Sequence, residues 1–275
     1  MGNRVQQYLD AVAQLHQSEV ISLVSVILFG SAACGTSVES SDVDLIIVIP
    51  NGTSQKNRSL IRDAVSELEI RHGFRSPEMR PKNSLERFAE HAGGHSHSCF
   101  FCTRGDLVSG NVARIFGLRA AEKLLLERTF LASVIVSART VWGEDLLSLV
   151  PLLPVRHRDV FKAFFRLTGL VLLIAAAFPM LSDATRYVMG ALKHSLHSCY
   201  FCYQLTTASV DEEVAFFSSR LGRSRVLLEL LSQREEHRRS FAFALSCVPM
   251  IFRLHLLTLW ENRFPRVVAR AHVSG

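Results

Sequence analysis

Apolar positions at Val5, Leu9, Val12 and Leu15 recur at the spacing of one helical face and predict an amphipathic helix at the start of the chain. The run from Val20 to Phe29 turns β-branched and apolar toward its end, which predicts a buried strand that stops at Gly30. Cys34 to Ser41 is small and polar, a loop by composition. Leu45-Ile46-Ile47-Val48-Ile49 is a continuous apolar run closed by Pro50-Asn51-Gly52, the pattern of a central strand covered on both faces. From Ser54 to His72 the positions Leu60, Ile61, Ala64, Val65 and Leu68 return to helical spacing, with Gly73 as the C-terminal cap. Arg75 to Arg80 reads as a short strand, Leu85 to Ala89 as a brief helix, and Cys99 to Val108 as holding a further strand.

Beyond Gly117 the pattern changes. Helical periodicity dominates at 118–142, 158–178, 184–206, 211–232 and 235–260, with Pro151, Pro154, Pro179 and Gly222 marking turns. The expected organisation is α/β (α+β): a mixed-sheet domain over 1–117, then an α-helical bundle over 118–275. Residues from Arg263 onward are basic and weakly patterned, which predicts a tail that frays or lies on the surface.

Composition narrows this picture. Of 275 residues, 48% are hydrophobic and 20% charged, with only eight prolines, so the chain can bury a substantial core and is not a disordered segment. Six cysteines in a chain of this length, behind an N-terminus without a basic-then-apolar leader, fit reduced thiols in a cytoplasmic protein. The apolar stretch Leu167 to Leu181 falls short of the roughly 20 residues that span a bilayer, which predicts a buried helix and no membrane partner. Charge divides unevenly: residues 1–117 hold 11 Lys and Arg against 12 Asp and Glu, and 118–275 hold 20 against 13. A net +7 in the second half favours phosphate-bearing ligands, although scattered arginines on helices also serve as a solvated face.

The chemistry concentrates in Leu28-Phe29-Gly30-Ser31, followed after ten residues by Asp42-Val43-Asp44 at the head of the apolar run. A glycine directly after a buried strand lets the backbone turn and approach a ligand closely. Ser31 offers a hydroxyl and an amide to phosphate oxygens. Asp42 and Asp44 are two apart on an extended segment, so their side chains share a face about 6.6 Å apart along the chain. Two carboxylates so placed repel each other unless a divalent cation lies between them. The bland alternative is a turn cap at Ser40-Ser41-Asp42 with Asp44 exposed at a strand end.

These residues resemble the nucleotidyltransferases of the DNA polymerase β superfamily, in particular the minimal and aminoglycoside nucleotidyltransferases. The resemblance is closest over residues 24–49 and extends to about 90. It implies a mixed sheet with flanking helices and two bound magnesium ions. It also implies transfer of a nucleoside monophosphate from ATP or another nucleoside triphosphate to an acceptor hydroxyl, with release of pyrophosphate. On that resemblance Gly30 and Ser31 hold the triphosphate and Asp42 and Asp44 the metal. Glu78 is the candidate third carboxylate, as metal ligand or general base. Its neighbours Arg75 and Arg80 leave open a surface ion pair instead. Lys193 is the candidate cation that closes over the phosphates from the helical half, the alternative being a surface lysine.

The acceptor is left open between an aminoglycoside-like small molecule, tRNA and a protein side chain, as in toxin or antitoxin enzymes. A catalytically inactive interaction protein with this fold is the alternative from a different class. The Cys-x-x-Cys pairs at Cys99/Cys102 and Cys199/Cys202 enclose bulky aromatics, which favours interior packing over zinc. Arg186 and His194, with seven residues between them, do not meet the spacing expected of the ribonucleases that accompany minimal nucleotidyltransferases.

Overall fold

The computed structural model describes residues 3–18, 21–35, 43–74, 98–117 and 128–267. The described residues fall into two compact units. One takes in the described residues up to 74 together with 98–117 and 134–152; the other takes in 128–133 and 153–267.

The first unit is built on a four-stranded mixed sheet. Helix α1 (Asn3–Gln14) leads to β1 (Ser25–Phe29), α2 (Gly30–Cys34), β2 (Asp44–Ile49) and α3 (Gln55–Arg71). Then come β3 (Cys99–Thr103), α4 (Arg104–Val108), α5 (Val112–Ile115), α6 (Arg128–Ser137), which begins among residues of the other unit, and β4 (Arg139–Gly143). The sheet order is β3-β2-β1-β4; β1 pairs antiparallel with both β2 and β4, and β2 pairs parallel with β3.

Apart from Asp44 at the head of β2, both central strands are buried along their length, as their apolar runs require. On one face Val26, Leu28, Leu45, Ile47 and Ile49 pack against Tyr8, Leu9 and Val12 of α1 and Ile61, Val65 and Leu68 of α3. On β3, Phe100 packs between Phe29 and Phe116, with ring centroids 6.0 and 5.0 Å away. Ser54 caps α3, its hydroxyl accepting from the Asn57 amide at 3.2 Å.

One expectation changes here. The helical reading over 118–142 gives way at its end to β4, an edge strand with no fully buried residue, so its sequence carries no burial alternation. Gly143 closes that strand at φ +85°, where a Cβ would lie 2.3 Å from the Val24 carbonyl oxygen, so a glycine is required for the pairing with β1. The predicted strand in 99–108 ends at Thr103, whose hydroxyl accepts from the Asp106 amide while the Asp106 carboxylate accepts from the Thr103 amide. That capping box starts α4. The strand expected at 75–80 and the helix at 85–89 lie outside the described residues.

The second unit is helical: α7 (His157–Ala176), α8 (Ala184–Gln204), α9 (Val210–Leu221), α10 (Arg225–Glu235) and α11 (Phe241–Glu261). The single helix expected over 211–232 is two, broken at Gly222, which takes φ +77°. Leu167, Leu170, Val171 and Ile174 of the apolar stretch in α7 are core residues against α8 and α11. The residues from Arg263 to Val267 do not fray. Arg266 exchanges backbone hydrogen bonds with Val155 at 2.9 Å, and its guanidinium donates to the Cys202 and Tyr203 carbonyls at 2.8 and 2.6 Å.

Candidate active site

A tight local constraint in the first unit lies where β1 ends. Phe29, its last residue, pairs across the sheet with Asp44, the first residue of β2. Gly30 follows at φ +71° and opens α2, a single turn that closes on Gly35 in the left-handed region at φ +72°. The chain thus reverses sharply beside the carboxylate. A Cβ on Gly30 would sit 2.5 Å from Asp44 Oδ2, closer than any side-chain carbon can approach. The half-buried Asp44 carboxylate therefore leans directly over the Gly30 backbone, and Ser31 continues the turn beside it.

β3 starts at the same end of the sheet. The Leu45 amide donates to the Ser98 carbonyl at 2.7 Å, which places Ser98 and Cys99 beside the head of β2. The Ser98 hydroxyl donates to Glu69, a carboxylate 5% exposed on α3. The Tyr8 hydroxyl and the Cys99 thiol are 3.3 Å apart. Burial pushes the Cys99 thiol well above its ordinary range, and the negative charges of Glu69 and Asp44 add to that. Burial likewise raises the Tyr8 phenol, with Cys99 and Glu69 contributing. Glu69 and Asp44 thus both act on the same buried thiol at this end of the sheet.

Of the candidates read from the sequence, the fold brings Gly30, Ser31 and Asp44 together across the β1–β2 pair. Asp42 and Glu78 lie outside the described residues. Lys193 sits half-buried on α8 in the second unit, where its charge acts on the buried Glu213. Burial raises the Glu213 pKa, and His197, whose Nδ1 is 2.6 Å from Glu213 Oε1, opposes that rise together with Lys193. Glu69 was not singled out from the sequence. Its position four residues after Val65 and eight after Ile61 puts it on the apolar stripe of α3, which was the available signal.

The cysteine pairs occupy packing positions. Cys199 and Cys202 are each 1% exposed within α8, and Cys99 and Cys102, three apart on a strand, point to opposite faces. Burial pushes Cys102 up to about 12, with Asp106 adding to it. In native protein at pH 8, iodoacetamide is expected to alkylate the exposed Cys34 first and to reach Cys102 and Cys247 only on unfolding, as read by peptide mass spectrometry. The raised Cys102 value also fixes a sign. An unfolded thiol ionises near 9.0 while the folded one keeps its proton to about 12, so this group's contribution to stability is lost as pH rises through that window.

In comparison with known proteins, residues 5–91 match the family described as "Nucleotidyltransferase domain". A curated protein of Methanocaldococcus jannaschii, whose name proposes a protein adenylyltransferase, is 45% identical over 54 residues, 19% of this chain and 37% of that relative. The chain therefore spans little more than a third of the length of the curated relative it matches. Among solved structures, the spectinomycin adenyltransferase AAD(9) from Enterococcus faecialis, crystallised with ATP and spectinomycin, superposes with a TM-score of 0.52. That superposition covers 94% of this chain and 98% of the other at 10% identity, a likeness of fold.

Proposed function

We propose that this protein transfers a nucleoside monophosphate, adenylate from ATP, to an acceptor hydroxyl with release of pyrophosphate. The observation that carries the reading is the approach of the Asp44 carboxylate to the Gly30 backbone, which joins a hard oxygen donor to a side-chain-free turn at paired strand ends. A triphosphate needs both: room for its oxygens at the backbone, and a carboxylate that shares a cation with it.

The donor chemistry of this corner fits magnesium. Asp44 presents carboxylate oxygen, and the charges of Asp44 and Glu69 converge on Cys99. Asp44 with Asp42 would hold the metal, which when bound neutralises developing charge on the triphosphate. Gly30 and Ser31 would orient the phosphates through backbone amides and the Ser31 hydroxyl. Glu78 would complete the acidic set and take the proton from the attacking hydroxyl. Bond making and breaking then balance simply. The acceptor oxygen attacks the α-phosphorus, the bond to the bridging oxygen breaks, and pyrophosphate leaves as the acceptor's proton passes to a carboxylate.

Two acceptor classes have specific support. The sequence relative points to a protein hydroxyl, and the structural neighbour to a hydroxyl of an aminoglycoside-like small molecule. The test is incubation of the full chain with each α-labelled nucleoside triphosphate and magnesium against a protein lysate, total tRNA and an aminoglycoside panel. Label from ATP in one fraction, with stoichiometric pyrophosphate, is the expected result. No transfer from any nucleotide to any fraction overturns the reading.

A further inference from the structure

The second unit carries an apolar surface that its own core does not use. α7 and α11 run antiparallel as neighbours: Phe164 packs on Phe252 with ring centroids 5.7 Å apart, and Phe178 on Phe241 at 5.2 Å. Each helix buries one stripe in the core, Leu167, Leu170, Val171 and Ile174 on α7 and Phe243, Cys247, Met250, Ile251 and Leu254 on α11. Each also has a second apolar stripe that faces outward. On α7 it is Phe161, Phe165 and Leu172; on α11 it is Phe241, Leu245, Phe252 and Leu256, at intervals of four, seven and four residues. Those intervals keep every member on one side of its helix.

Phe164 joins the two stripes, lying 5.1 Å from Phe165 and 5.7 Å from Phe252, so they form one continuous face. Trp260, 86% exposed, extends it at the end of α11, and Phe165 is 65% exposed at its centre. A two-stripe pattern also explains why α11, among the described residues, is long and apolar enough by composition to cross a membrane: one side is core and the other is this face.

We propose that this face is the self-association surface of the protein, on which α7 and α11 pack against the same two helices of a second copy. Area is the argument for that occupant. At about 200 Å² per large side chain, the eight exposed residues leave open about 900 Å², above the few hundred Å² usual for a monomer. A two-fold pairing of the same patch doubles that to about 1,800 Å² in total, the size of a stable, specific interface. Four phenylalanines, three leucines and a tryptophan form the face, while Arg158, seven residues before Phe165 on the same side of α7, and Arg253, seven before Trp260 on α11, stand at its rim.

The inference is independent of the nucleotidyl-transfer reading, and its test does not use activity. Sedimentation velocity on the full chain from 1 to 100 μM is expected to give twice the 30.7 kDa chain mass at the upper end. The double change Phe165→Ser with Phe252→Ser, both at exposed positions, is expected to raise the dimer dissociation constant at least a hundredfold while circular dichroism stays unchanged. If that variant does not fold, Leu172→Lys with Leu256→Lys replaces it. Hydrogen exchange on the unaltered chain gives a second reading, with protection in α7 and α11 expected to rise with protein concentration. A chain that stays monomeric at 100 μM overturns the proposal, and so does a dimer that persists in folded variants or leaves α7 and α11 unprotected. A monomer that binds vesicles containing anionic lipid through this face also overturns it, in favour of a membrane surface.

Discussion

Asp44→Asn is expected to lower nucleotidyl transfer by a factor of about 10³ or more, roughly 4 kcal/mol of transition-state stabilisation, without unfolding the protein. Asparagine keeps the shape and length of the side chain, so the β1–β2 pairing through Phe29 and Asp44 and the clearance over Gly30 are unaffected. What changes is the charge available to a cation. The midpoint of thermal unfolding should hold or rise slightly, because the negative charges of Asp44 and Glu69 both act on the buried Cys99 thiol. Asp44→Glu separates charge from placement. It restores the negative charge but adds a methylene where the existing oxygen already lies against the Gly30 backbone, so the longer carboxylate must sit elsewhere and activity should remain low. Transfer measured with labelled ATP, alongside thermal unfolding, checks both variants. Full activity in Asp44→Asn would remove Asp44 from the proposed metal site.

How far the sequence alone leads depends on how each element declares itself. β2 and the later part of β1 are legible because both faces are covered, so five apolar residues in β2 and four in β1 run together without interruption. α3 is legible because its stripe at Ile61, Val65 and Leu68 meets the core and Ser54 caps it. β4 is not, since Arg139 to Gly143 is a half-exposed edge strand that directly follows the apolar helix α6, and helical spacing runs into it without a break. Its pairing is held instead by long-range contacts that no local pattern encodes: Gly143 against Val24, and the shift in register between Val26 and Ile27. The end of β3 was readable, because Thr103 and Asp106 stand at capping-box spacing, a signal that the apolar continuation through Leu107 and Val108 masked.

The candidate site divides in the same way. Gly30 and Asp44 are fourteen residues apart, yet the motif that joins them also fixes a strand pair, so sequence spacing and register report one geometry. Glu69 contributes charge from a helix, through Ser98 just before β3 and Cys99 at its start, twenty-nine and thirty residues later, and only the folded chain brings those three together. Lys193 acts on the buried carboxylate of Glu213 in the folded chain, a neighbour that composition does not show.

The second large effect is expected from Gly30→Ala, through backbone and site together. At φ +71° an alanine pays roughly 1–2 kcal/mol for the left-handed conformation. Its Cβ would also meet Asp44 Oδ2 at 2.5 Å, so the carboxylate must move. Together these should lower stability by about 2–3 kcal/mol in urea unfolding and transfer by about a hundredfold, since a displacement near 1 Å of a positioned group costs that much. A double-mutant cycle with Asp44→Ala separates the two causes. With the carboxylate gone, the nearest remaining atom of residue 44 is its Cβ at 3.6 Å, an ordinary contact, so Gly30→Ala should then cost only the conformational share. A coupling of about 1 kcal/mol between the two positions is the expected reading. Additive costs, or an active Gly30→Ala protein of unchanged stability, would mean that the turn after β1 does not confine the carboxylate and that Gly30 has no part in presenting it.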